Sequence, residues 1–156
     1  MQDDYNRCYG EYMNTTYARW PNKTIPYVII DAFSQCYQDL IKEAMREWEV
    51  KTGCIKFVER TTEDDYITID NEGACSSCVG RQKWEQKVHL HDAGPNYCFY
   101  RQQGQSGVGP SIALHELGHA LGFPHEHIRP DRDDYITINY ENIDSSKPIH
   151  SLVKRN

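Results

Sequence analysis

The sequence predicts one α+β domain, and three observations carry that prediction. Apolar residues recur at helical intervals of three and four across Tyr37, Leu40, Ile41, Ala44, Met45 and Trp48. Short runs rich in β-branched and aromatic residues, at 25–30, 55–59 and 66–70, lie on either side of that stretch. A second helix is signalled by His115 and His119, four apart, in a segment that Gly122 can end. With 156 residues, the chain can bury one real core but not two ordinary ones.

Taken in order, residues 1–16 are polar, tyrosine-rich and without period, and are expected to form an irregular arm tied down through Cys8. The run 25–30, just after Pro21, reads as a strand. The amphipathic helix spans 37–50, with Ser34 able to cap its start and Gly53 its end. Strands at 55–59 and 66–70 follow, separated by the polar turn Thr61-Thr62-Glu63-Asp64. Asp64-Asp65-Tyr66-Ile67-Thr68-Ile69 recurs as Asp133-Asp134-Tyr135-Ile136-Thr137-Ile138, and its alternation predicts a half-buried strand in both places. The flanks do not match, so this is not a repeat protein. In the glycine- and cysteine-rich region 73–109, residues 86–91 alternate, with Val88 and Leu90 on one face and His89 and His91 on the other. A His-x-His pair can bind metal, or these can be partly exposed strand positions. Residues 104–110 read as a flexible lead-in, and Pro110 or Ser111 opens the second helix.

Composition limits the partners. A net charge of −6 without a Lys/Arg cluster argues against nucleic acid and against an anionic membrane surface. No apolar run approaches transmembrane length. The start, Met1-Gln2-Asp3-Asp4, is polar and acidic, so no signal peptide is expected there. Cys8, Cys36, Cys54, Cys75, Cys78 and Cys98 could form three disulfides in any of fifteen connectivities. Cys75 and Cys78 form a C-x-x-C, which invites a redox or zinc-ribbon reading, but no second C-x-x-C completes a four-cysteine site. Asn14-Thr15-Thr16 and Asn22-Lys23-Thr24 are N-glycosylation sequons. Together these favour a secreted, extracellular glycoprotein.

The chemistry concentrates in His115-Glu116-Leu117-Gly118-His119-Ala120-Leu121-Gly122-Phe123-Pro124-His125. Histidines four apart stack on one helix face, so both imidazoles can bind one tetrahedral ion. Gly122 lets the chain turn and deliver His125 as a third nitrogen. Three protein ligands leave one position open, the mark of a catalytic rather than a structural zinc. Glu116, beside the first ligand, could take a proton from water at that position.

This run is the extended metzincin zinc motif. With Glu126-His127-Ile128-Arg129-Pro130-Asp131-Arg132-Asp133 it resembles the astacin family, whose signature HExxHxxGFxHExxRxDRD is matched at every fixed position. The resemblance extends through Arg19-Trp20-Pro21, Ile25-Pro26-Tyr27-Val28-Ile29, the helix around Trp48, and Cys75 to Gly80, covering roughly 20–142. It implies a zincin-like fold: a twisted, mostly parallel sheet, the 37–50 helix backing it and the zinc helix beneath. It implies one Zn2+ per chain on His115, His119 and His125, Glu116 as general base, and a protein or peptide substrate. It further implies that Cys75 pairs with Cys98, and that the strand at 86–91 is an edge pairing with the substrate backbone. In mature astacins the acid matching Glu126 contacts the new N-terminal amine. The residues alone allow instead a surface carboxylate paired with Arg129 or Arg132.

Departures are equally specific. Met1, Met13 and Met45 all precede His115, so the methionine turn found downstream in astacins, with its metal-reaching tyrosine, has no counterpart here. The expectation is an arm at 1–18 (a pro-segment remnant) and a peptidase domain at 19–156 that stops before most of its C-terminal subdomain. Cys54, whose family partner lies in that later segment, is expected to be free or mispaired, and the partners of Cys8, Cys36 and Cys78 are left open. The function expected is a monomeric, secreted zinc endopeptidase. The alternatives are a zinc-binding but inactive fragment and a secreted non-enzymatic binding module.

Overall fold

The computed structural model describes residues 19–93, 97–99 and 109–142, which fall into two compact units dividing after Gly122. Cys8, the Asn14 sequon, the arm at 1–16 and most of the 104–110 lead-in lie outside the described residues.

The first unit is built on a sheet of β1 (Thr24–Ile29), β2 (Lys56–Glu59), β3 (Tyr66–Asp70), β4 (Ser76–Ser77) and β5 (Glu85–His89), ordered β2-β1-β3-β5-β4. Four strands run parallel. Tyr27 of β1 faces Glu59 of β2 on one side and Ile67 of β3 on the other, and Tyr66 to Asp70 register with Glu85 to His89. Parallel neighbours need a long crossover. Between β1 and β2 that crossover is α1 (Gln35–Thr52), which extends two residues beyond the predicted helix at each end. Its start differs from expectation. Ser34 occupies the cap position but makes no side-chain cap bond, and its carbonyl instead accepts from the amides of Tyr37 and Gln38. Gly53 ends the helix at φ 65°, where only glycine is unstrained. Glu49 Oε1 then accepts from the Phe57 amide at 2.7 Å, tying the helix end to β2.

β3 corrects the half-buried expectation. Thr68 and Asp70 are buried along with Ile67 and Ile69, because β3 is the middle strand and is covered on both faces. The position of β5 is also corrected. It is not an edge strand, since β4 pairs antiparallel outside it at Ser76↔His89 and Ser77↔Val88. The Cys75–Cys98 disulfide and the bond from the Gly80 amide to the His119 carbonyl (2.7 Å) hold the β4 segment in that outer position.

Ile25, Ile67, Ile69, Val88 and Leu90 from the sheet meet Ile41, Ala44 and Met45 of α1 and Ala113, Leu117 and Ala120 of the second helix, α2 (Ser111–Leu121). Phe99 is fully buried here, edge-on to Phe33 and tilted against Tyr37. Cys78 is also disulfide-bonded, whereas Cys36 and Cys54 are free and exposed. Among the described residues, no helix is long and apolar enough to cross a membrane.

The second unit, described to Asn142, contains three short 3-10 turns: Glu126–Ile128, Arg132–Asp134 and Tyr140–Asn142. The strand predicted at 133–138 is not formed. Residues 135–139 carry no regular structure, and Tyr135 and Ile136 are exposed. The alternation that forms β3 depends on neighbours on both sides to accept its ladder, and no described strand flanks the second copy.

Replacing Cys75 and Cys98 by serine should lower stability by roughly 3 kcal/mol, the loop-closure value for a bridge of this span. Denaturant unfolding of the non-reduced chain and the variant tests this. Equal midpoints would show that the β4 segment is held without the bridge.

Candidate metal centre

α2 begins as the Pro110 carbonyl accepts from the Leu114 amide at 2.8 Å, and it stops at Gly122, whose φ of 110° brings its amide back to the His119 carbonyl. Within those eleven residues His115 and His119 lie one turn apart, edge to face, with ring centroids separated by 4.4 Å. His115 is exposed and His119 buried. Burial, then the neighbouring His119, lowers the His115 pKa, which favours the neutral ring that a metal requires. His125 follows the helix cap by three residues. Each of the three histidines offers one ligand nitrogen, and these atoms all lie within 4.8 Å of one another. A tetrahedral zinc holds its nitrogens about 3.3 Å apart.

Glu116 is buried, and its Oε2 has no hydrogen-bond partner among the described residues. Burial pushes its pKa up to about 7. A buried carboxyl with an orphaned oxygen is costly unless something outside the chain completes it. Beside three imidazoles, a borderline-soft divalent ion with its water fits that need. The donor set therefore suits zinc.

The comparisons with known proteins point the same way. The model of the peptidase family described as Astacin matches residues 12–154. The chain belongs to the astacin family. It is 40% identical over 134 residues to bone morphogenetic protein 1 of Xenopus laevis, covering 85% of this chain and 17% of that protein. High choriolytic enzyme 2 of Oryzias latipes is 39% identical over 139 residues, covering 89% of this chain and 43% of the enzyme. Among solved structures, high choriolytic enzyme 1, a hatching enzyme zinc-protease from Oryzias latipes, matches with a TM-score of 0.69. Its identity is 36%, and the match covers 90% of this chain and 64% of that one. The chain thus spans less than two thirds of each of these relatives.

In this astacin-family chain, several residues position α2 that no metal-binding pattern could reveal. Trp20 Nε1 donates to the Ala120 carbonyl at 2.8 Å, and Trp48 Nε1 to the Leu114 carbonyl at 2.9 Å. Gly118 is the point of closest approach: a Cβ built there would sit 2.9 Å from Trp48 Cζ2. The glycine between the two histidines is therefore a packing requirement. In the sequence Trp20 carried only a family resemblance and Trp48 also a place in the stripe of α1, and no local period ties either to α2.

The acidic and basic residues after His125 have local work. Arg129 makes a two-pronged pair with Asp131, at 2.9 and 2.7 Å, and also reaches Glu126. Glu126 is thus a surface carboxylate on Arg129. Arg132 is buried, and its Nη1 donates to the His127 carbonyl at 3.1 Å, closing the turn. The exposed pairs add little stability individually, but they fix the path of the segment. His89 and His91 of the earlier His-x-His lie apart from α2 in sequence and bond to Asp70 and Asn71.

Gly118→Ala should cost about 1–3 kcal/mol, because the indole is pinned by its own hydrogen bond and cannot yield. A thermal melt measures it, and adding Trp48→Phe should recover part of the loss. An unchanged melting temperature in Gly118→Ala would contradict the close approach.

Proposed function

We propose that the chain is the zinc-binding part of a secreted endopeptidase that cleaves protein or peptide substrates. The observation that carries this reading is the convergence of three imidazole nitrogens on the helix segment that also carries a buried Glu116, whose Oε2 has no hydrogen-bond partner among the described residues. Family membership adds independent support.

In this reading His115, His119 and His125 hold one zinc ion, which when bound supplies Lewis acidity toward a peptide carbonyl and toward water. The chain's own residues do the rest. Glu116 takes a proton from the attacking water and returns it to the departing amine. The carboxyl is kept ionised, the form that can accept the water's proton, by the positive charge of the metal. Burial keeps bulk water from competing for its Oε2. Trp20, Trp48 and the Gly80 amide hold the helix that carries Glu116, His115 and His119, so the base and those two ligands keep one geometry through the cycle. The Cys75–Cys98 bridge supports an oxidising, extracellular location.

Glu116→Gln should keep one zinc at this site and lose peptide hydrolysis by about 100-fold or more, on the order of what a positioned base supplies. The check pairs a fluorogenic peptide assay, with and without chelator, with metal analysis of the same sample. Hydrolysis that survives in Glu116→Gln would remove the assigned base. Zinc bound without any hydrolysis by the parent chain would leave a metal-binding, inactive unit. His119→Ala should lose the ion on dialysis, and retention of full zinc at this site would refute the ligand set.

A further inference from the structure

The three histidines of the candidate centre are not held alike. His115 and His119 stand on α2, whose eleven residues fix their backbone. His125 stands outside any helix, in extended backbone (φ −60°, ψ 129°) just before the short turn Glu126–Ile128. Pro124 disfavours helical backbone at Phe123, so α2 cannot run on to carry His125 as well. A side chain on such a segment gives up rotamer freedom when an ion captures it, and that cost lowers affinity unless a neighbour orders the ring beforehand.

The neighbour is His127. Its ring lies nearly parallel to that of His125, 19° apart in plane, with centroids separated by 5.5 Å. Offset stacking at this separation is a favoured arrangement for flat rings. The backbone of His127 is itself anchored. The Ile128 amide donates to the His125 carbonyl at 3.1 Å, which joins the two residues in one turn. Buried Arg132 donates from Nη1 to the His127 carbonyl at 3.1 Å, and its amide donates to the Arg129 carbonyl at 3.2 Å. The turn therefore offers a fixed flat face to one side of the His125 ring. His127 flanks the ligand set without joining it, since the nitrogens within 4.8 Å of one another belong to His115, His119 and His125. Its position is also one that the signature HExxHxxGFxHExxRxDRD leaves open, so no motif assigns it a part.

We propose that His127 is a positioning residue for the metal, whose ring stacks on His125 and sets the plane from which His125 delivers its nitrogen. This rests on the reading of His115, His119 and His125 as zinc ligands. What the stack requires is a flat aromatic face, and neither the charge nor the hydrogen bonds of the His127 imidazole enter. A phenyl ring therefore serves in its place, and an aliphatic side chain of similar size does not.

Competition of the full chain against a chromophoric zinc chelator measures the affinity in the parent and in three variants. His127→Ala and His127→Leu should weaken zinc binding roughly 2–12-fold, the worth of one stacked ring pair, whereas His127→Phe should stay close to the parent. Unchanged affinity in His127→Ala would overturn the proposal. So would a His127→Phe variant as weak as His127→Ala, because the imidazole would then act through its nitrogens. Should His127→Ala fail to fold, the comparison of His127→Phe with His127→Leu decides, and equal affinities there overturn it. No zinc taken up by the parent would overturn the ligand reading and this inference with it. Zinc lost in His119→Ala but held equally by the parent and His127→Ala would overturn this inference alone.

Discussion

The structure depends on how closely one helix backbone can approach one indole. At Gly118 the absence of a side chain lets Trp48 lie against α2, and the same indole donates to the Leu114 carbonyl. Trp20 and the Gly80 amide add donors at Ala120 and His119. A carbonyl has two lone pairs, and those of a helix's last turn lack intrahelical partners; α2 uses the carbonyls of Leu114, His119 and Ala120 to fix its own rotation and height. That rotation points His115 and His119 along one face and sends Glu116 into a buried position.

Stability and chemistry pull in opposite directions at Glu116. Its pKa, raised by burial from 4.5 to about 7, means the metal-free fold loses stability as pH rises across that interval, since the unfolded chain ionises first. A core selected only for stability would hold an apolar residue there. The arrangement makes sense when a cation stands close by, because a neighbouring positive charge favours the ionised carboxyl and reverses the penalty. His115 shows the matching shift toward the neutral ring.

Much of this was legible in the sequence, for reasons that differ by element. α1 announced itself through a long apolar stripe and Gly53, and α2 through two histidines and Gly122, because helical period and capping are local properties. β1, β2 and β3 were readable as β-rich runs. The order in which strands pair is not local. β4 is two residues of serine with no apolar signal, so nothing local showed that it covers the strand that the family resemblance placed at the edge. The second Asp-Asp-Tyr-Ile-Thr-Ile run failed as a strand for the same reason: a pattern shows what a segment could form, and neighbours decide whether it does. At the site, the spacing of His115, His119 and His125 marked three histidines whose ligand nitrogens lie within 4.8 Å of one another, but nothing in the spacing foretold that Gly118 answers to Trp48, seventy residues earlier in the chain.

The account rests on three imidazoles sharing one ion, and X-ray absorption at the zinc edge reads that sphere directly. With one equivalent of zinc loaded, three histidine nitrogens and one oxygen at about 2.0–2.1 Å are expected. A sulfur shell near about 2.3 Å, from Cys36 or Cys54, or a sphere with fewer than three imidazoles, would contradict it.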